Sequence, residues 1–347
     1  MIKIIILRVF VAAVIIGSTH AGLANDTAAR VAAGGITFVK SEHIRMLEEV
    51  LEVSLSMVRV KYRLLNESDQ DIHTTVAFPM PPYRWNSGES MWDMNQRPVT
   101  TFKAFVNGRQ ISNATTIKAI IGGRDVTWRL REIGLSDAEI QVGAGCHVTQ
   151  TGTIVYDLTQ HQKEMVMQLT GEKEACPSWT VASTLFWEQT FPAQKEVVVE
   201  HQYAPFVGIG YSAPYQQPHG YVTDIPAVEG ETDKNRACLS SSTRKAIDKR
   251  IKAFVDGGEK LVYVTLHDVE YVLGTGRNWK GPIGKFTLRI TKDSPDQFIA
   301  LCFQGKPTKV NSNVYEFVQK GFVPQDRLVV YFYTVATKPY YRKAKSE

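Results

Sequence analysis

From Val58 to Leu64 the chain alternates strictly: Val58, Val60, Tyr62 and Leu64 fall on one side, Arg59, Lys61 and Arg63 on the other. A helix cannot sort that pattern, whereas a strand with one buried and one wet face does. The turn-forming cluster Asn66-Glu67-Ser68-Asp69-Gln70-Asp71 follows, then a second strand over residues 72–78, stopped by Pro79, Pro81 and Pro82. Residues 102–106 and 109–111 flank Asn107-Gly108, a pair suited to a type I′ hairpin turn. Antiparallel strands with one apolar face must cover that face, so residues 25–121 are expected to form the N-terminal part of a β-sandwich.

Residues 122–180 read as a mixed insert or connector. Ser136-Asp137-Ala138-Glu139 has capping-box spacing for a short helix, and residues 161–169 predict another helical piece. Strands resume at 184–190 and 197–203, within a stretch (181–210) expected to complete the first sandwich. There Val197, Val199, His201 and Tyr203 share a face. Residues 211–347 predict a C-terminal domain with one amphipathic helix over 238–255. Ile247, Ile251, Phe254 and Val255 form its apolar stripe, and Gly257-Gly258 its stop. Strands are expected at 261–266, 269–273, 286–291, 298–303 and 314–318. The segment Phe191-Pro192 before residues 197–203 is echoed by Phe322-Val323-Pro324 before residues 328–333. The fold class expected is mainly β: two β-sandwich-like domains with a mixed helical insert and one amphipathic helix.

Residues 1–24 predict a signal peptide. They combine a short positive start at Lys3, an apolar run from Ile4 to Ile16 interrupted by Arg8, and the small residues Ala21-Gly22-Leu23-Ala24. A membrane span takes about 20 apolar residues, more than this run supplies. Cleavage is expected after Ala24, with Ala21 as the alternative and retention as an uncleaved anchor the competing outcome. The expected location is periplasmic or secreted, with no transmembrane segment in the mature chain. The 347 residues carry a net charge of +5, and removing Lys3 and Arg8 from the 40 basic residues leaves 38 against 35 acidic ones. That balance argues against a nucleic-acid partner, which calls for a concentrated basic face. The four cysteines, Cys146, Cys176, Cys238 and Cys302, suit two disulfides in an oxidising compartment, with Cys146–Cys176 and Cys238–Cys302 closing the shorter loops. Free thiols or a metal site are the alternatives. Against metal, there is no Cys-x-x-Cys pair, and the adjacent Cys146-His147 chelates poorly.

Several segments, in order, resemble a bacterial family of exported proteins known as domain of unknown function 4424. They are Asn25-Asp26-Thr27-Ala28-Ala29 with Ala32-Ala33-Gly34-Gly35-Ile36, the run from Val58 to Pro81, Phe186-Trp187-Glu188-Gln189-Thr190-Phe191-Pro192, and Asn278-Trp279-Lys280-Gly281-Pro282-Ile283-Gly284. The resemblance spans most of the mature chain. It implies export and a β-rich fold, and supplies no catalytic residues.

Candidates for chemistry are few. No His-x-x-x-His, His-Glu-x-x-His or Gly-x-Ser-x-Gly spacing occurs, so neither a helical metal pair nor a nucleophile elbow is indicated. His201 on an apolar strand face reads as a core histidine. His267 and Asp268, with Glu270 at an expected strand junction, could supply a base and an acid, although neighbours on a strand point to opposite faces. Glu188, amid aromatic residues, is a candidate acid if partly buried. Cys238 near a helix start could be a reactive thiolate or a disulfide partner. The loop from Gly274 to Gly284 offers Arg277 and Trp279 as a docking surface, or as a hairpin loop whose Trp279 packs onto the sandwich. Gly-x-Gly there lacks the following helix that a phosphate cradle needs. A second aromatic loop carries Trp85 and Trp92. No cofactor and no metal are expected. The reading favoured is a non-enzymatic binding or protein-interaction module of the cell envelope, its partner an unidentified envelope protein or ligand. The alternative is an envelope hydrolase acting on glycan or peptide.

Overall fold

The computed structural model describes residues 27–32, 35–84, 101–143, 147–148, 154–155, 158–171, 179–210, 239–259 and 261–338. The chain opens with β1 (Thr27–Ala32), β2 (Gly35–Val39), β3 (Ile44–Val53), β4 (Val58–Asn66), β5 (Ile72–Pro79) and the short β6 (Tyr83–Arg84). Then come β7 (Lys103–Val106), β8 (Arg109–Ile111), β9 (Ala114–Ile121) and β10 (Arg124–Asp125). The insert holds α1 (Thr127–Glu132), α2 (Asp137–Gln141), β11 (His147–Val148), β12 (Ile154–Val155) and α3 (Gln160–Thr170). After it run β13 (Thr180–Phe191), β14 (Glu196–Tyr203), β15 (Val207–Gly210), α4 (Ser241–Asp256) and β16 (Tyr263–Val272). A 3-10 turn (Gly274–Asn278) leads to β17 (Ile283–Thr291), β18 (Phe298–Leu301), β19 (Thr308–Lys309), β20 (Val314–Phe322) and β21 (Arg327–Ala336). The chain is mainly β.

Three sheets carry the architecture. The largest, eight-stranded, runs β19-β20-β17-β3-β4-β14-β7-β8; a seven-stranded sheet runs β10-β9-β13-β5-β1-β2, with β6 also on β13; a four-stranded sheet runs β15-β16-β21-β18. One continuous core joins all three. Val58, Val60, Tyr62 and Leu64 of β4 meet Phe78 and Trp187 of the seven-stranded sheet and Val269, Tyr271, Val330 and Phe332 of the four-stranded one. The alternation in β4 thus buries its apolar residues between sheets and leaves Arg59, Lys61 and Arg63 on the outer face. There Lys61 pairs with Glu200 at 2.8 Å and Arg63 with Glu196 at 2.9 Å. β17 joins β3 in parallel and β20 antiparallel, so the eight-stranded sheet draws strands from both sides of residue 211.

The other two cores follow from strand alternation. Ile117, Ala119 and Val181 cover α1–α3 through Leu130, Ile140 and Val166. Across the four-stranded sheet, Val264, Leu266, Tyr331 and Tyr333 point away from the main core and receive Ile247 and Ile251 of α4. That sheet is therefore covered on both faces.

Local signals hold where they are self-contained. Ser136 and Glu139 close both arms of a capping box, and Thr159 and Gln162 do the same for α3. Asn107 and Gly108 both have positive φ, as a type I′ turn requires. The sequence splits residues 261–273 into two strands, whereas they form the single β16, because its polar residues sit within a strand paired on both edges, by β15 and β21. The Gly274–Gly284 segment is not a hairpin loop. It carries the chain from β16 of the four-stranded sheet into β17 of the eight-stranded one, turning through the 3-10 helix on the way. Among the described residues no helix is long and apolar enough to cross a membrane.

Candidate functional site

The sequence-derived candidates disperse. Glu188 is exposed on β13, where Thr75 Oγ1 donates to its Oε1 at 2.7 Å, so the burial on which an acid role would depend is absent. Strands alternate faces, and this register turns Glu188 away from the core that holds its neighbour Trp187. His267 and Asp268 sit in the middle of β16 in a different sheet. His267 is buried on the face that also carries Val269 and Tyr271, and Asp268 projects to the opposite face. His201 is buried among rings, with centroids 4.9 Å from Phe78, 5.2 Å from Phe102 and 5.4 Å from Trp187.

Trp279 is not a docking surface. It is 1 % exposed and packs edge-on against Phe191 at 6.0 Å. The backbone clamps it from both sides: Ser41 N donates to Asn278 O at 2.7 Å and Lys280 N to Ile44 O at 2.8 Å. Arg277 is likewise a tether, donating to Pro324 O at 3.0 Å and to Asp326 Oδ1. Trp85, Trp92, Cys146, Cys176 and Cys238 lie outside the described residues. Among the described residues no cysteine is free, and no cluster of histidine, cysteine and acidic side chains is arranged to hold a metal.

Asp268 occupies an unusual setting. Burial first, then the charge of Glu270, pushes its carboxyl up to about 6. Burial also raises Glu270, opposed by Arg327 3.9 Å away. Gly208, opposite Asp268 in the register, leaves the space that the Asp268 carboxylate fills; a Cβ there would overlap Oδ1 and make that side chain turn aside.

The site that gathers binding chemistry lies elsewhere, in a cleft of about 660 Å³ where the four-stranded and eight-stranded sheets part beside the start of α4. One wall is β18, with Phe303 just beyond it. The other is β19–β20, through Lys309, Tyr315 and Phe317. The rim is the first turn of α4, with Ser240, Ser242, Thr243 and the exposed Ala246. Such a volume, apolar walls and few convergent polar groups are what ligand sites have.

The local sequence explains this shape. Lys292 is 5 % exposed at the end of β17, and its ammonium donates to Pro295 O at 2.6 Å and Gln297 O at 2.9 Å. Those bonds fold residues 292–297 into a tight turn, reinforced by Asp293 N donating to Gln297 Oε1 at 2.7 Å. The turn sends the chain into β18 on the neighbouring sheet. Burial lowers the Lys292 pKa, the charge of Lys309 lowers it further, and Asp296 opposes both. At the rim Ser240 caps α4, its Oγ accepting from Thr243 N at 3.0 Å, and no acidic residue sits in the first turn. No acidic side chain lines the cleft among the described residues, so two lysines and a helix N-terminus leave it electropositive. A smaller hollow of about 430 Å³ on the outer face of the eight-stranded sheet differs in kind, since four of its charged side chains already pair, Lys61 with Glu200 and Arg289 with Glu52. Sequence reading missed the cleft because its lining comes from two stretches, 240–246 and 292–317, that only the packing of α4 and the two sheets brings together. The only local clue was the Lys292–Gln297 turn.

Fold and cleft define a mainly β protein with an electropositive pocket between sheets. The chain belongs to the family described as domain of unknown function (DUF4424), whose profile matches residues 24–331. No curated protein matches it. Among solved structures it is similar to a candidate nutrient binding protein from Legionella pneumophila, at 16 % identity and a TM-score of 0.40, over 85 % of this chain and 68 % of that one.

Proposed function

We propose that this protein is a non-enzymatic binding module of the cell envelope, exported and cleaved near Ala24, with the cleft between β18, β20 and α4 as its ligand seat. The observation that carries the reading is the cleft itself: aromatic walls from two sheets, Lys292 and Lys309 among its lining, and no acid there among the described residues. An anionic group with an apolar body matches it. The separation of Glu188 from His267 and Asp268 leaves the hydrolase alternative without the acids and base named for it. The N-terminal pattern supports export, and the cysteine count supports disulfides in an oxidising compartment.

The test uses the full chain, expressed and recovered from the periplasmic fraction. Its N-terminus is expected at Asn25. Titration with the anionic apolar dye anilinonaphthalene sulfonate is expected to show one saturable site that Ala246→Trp, a change on the exposed face of α4, weakens. Dye binding that this substitution leaves unchanged would place the ligand elsewhere and end this assignment.

A further inference from the structure

The cleft has a wall that an ordinary small-molecule pocket lacks, the open edge of a sheet. β18 is the last strand of its sheet and pairs only with β21, from Phe298↔Tyr333 to Leu301↔Val330. All four of its residues line the cleft. Phe298 and Ala300 also pack into the core under α4, while Ile299 and Leu301 pack into the core between sheets. Side chains from both faces of one strand can border the same cleft only if the cleft runs along that strand's edge. Among the described residues no backbone hydrogen bond reaches residues 298–301 from that open side. Edges elsewhere in proteins are blunted by charge, proline or a covering element. Here the edge lies between two apolar walls, with Lys309 across from it and Lys292 at its start.

We infer that the cleft receives an extended peptide bearing a carboxylate, which adds as a further strand against β18. Main-chain hydrogen bonds to the open edge supply register, and alternate side chains enter the apolar walls. The carboxylate faces Lys309 and the first turn of α4, with Lys292 held behind them in its turn. A four-residue strand rises about 13 Å at roughly 3.3 Å per residue, so about four peptide residues pair with it. This inference rests on the cleft being the ligand seat.

The experiment uses the full exported protein and a fluorescein-labelled hexapeptide library with alternating valine and leucine positions, made with a free C-terminal carboxylate and as the amide. Binding is read by anisotropy, and dye displacement is read in parallel with anilinonaphthalene sulfonate. Free-acid peptides are expected to bind and displace the dye, and the amides to bind more weakly. Lys309→Glu is expected to weaken the free-acid peptides at least about tenfold, because it sets a like charge opposite the carboxylate. Methylating alternate backbone nitrogens of the best peptide should abolish binding in one register and spare it in the other, the signature of pairing along one strand edge. If both registers tolerate methylation, edge pairing is overturned. If the dye binds in an Ala246→Trp-sensitive way but laurate rather than peptide displaces it, the cleft stands as a seat for an amphiphile and the peptide inference falls alone. If neither dye nor peptide binds, both fall together.

Discussion

The hydroxyls of Tyr62 and Tyr271 meet at 2.9 Å in the buried space between the eight-stranded and four-stranded sheets. They are 209 residues apart, and both side chains are essentially without solvent exposure. A buried hydroxyl needs a partner, and each sheet supplies one for the other. Tyr62→Phe or Tyr271→Phe is expected to lower stability by about 1 kcal/mol, with a coupling of similar size in the double variant. Urea unfolding of the four proteins measures it, and strictly additive losses would show that the bond contributes nothing.

Asn66 ends β4 in full burial and acts as a four-way connector. Its Nδ2 donates to Gln70 O and Phe191 O, both at 2.8 Å, and its Oδ1 accepts from Ser68 N at 2.9 Å and Ser68 Oγ at 2.7 Å. It therefore ties the 66–71 turn and the end of β13 to the eight-stranded sheet. Asn66→Asp should be worse than Asn66→Ala, because it turns an acceptor toward two carbonyl oxygens, and each is expected to cost at least about 2 kcal/mol. Thermal unfolding that ranks Asp above Ala in stability would contradict this network.

Gly284 lies where β17 passes the irregularity in β3 between Met46 and Glu48. A Cβ at Gly284 would stand 2.5 Å from Leu47 O, a backbone atom that cannot step aside. Gly284→Ala is expected to destabilise by about 1–3 kcal/mol through overpacking, with the parallel β3–β17 pairing taking the damage. Hydrogen exchange at residues 285–290 should report it, and unchanged protection there would count against the argument.

The Asp268 carboxyl titrates near 6 in the folded chain and near 3.8 as a free side chain. The folded state therefore holds this proton more tightly, so the contribution of Asp268 to stability is full below about pH 4 and is lost as pH rises from there through 6. The loss is on the order of 3 kcal/mol at neutral pH. Asp268→Asn removes the burial cost of the charge, so it should stabilise the protein at pH 7 and flatten the profile between pH 4 and 6. A profile identical to the parent would show that Asp268 does not titrate in that window.

Cys302 follows β18 directly, and Cys238 precedes the Ser240 cap of α4 by two residues. Ser240 and Leu301 border the same cleft. Peptide mapping without reductant is expected to recover Cys238 joined to Cys302, and reduction to lower stability by about 2–5 kcal/mol. A peptide joining Cys302 to Cys146 or Cys176 would refute the pairing.

What the sequence determined by itself was local. The alternation from Val58 to Leu64 specified a strand with one buried face, Ser136 with Glu139 specified a helix start, and Asn107-Gly108 specified a hairpin, because each depends on residues within a few positions. Periodicity states which face is buried and leaves the covering element undecided. Only the tertiary structure paired β3 with β17 and turned Trp279 from a loop aromatic into core. It also set His267 and Asp268 on opposite faces of one strand and left the edge of β18 open beside Lys292. Those outcomes follow from how sheets stack and where their edges fall, a balance of burial summed over the whole chain rather than over any one segment.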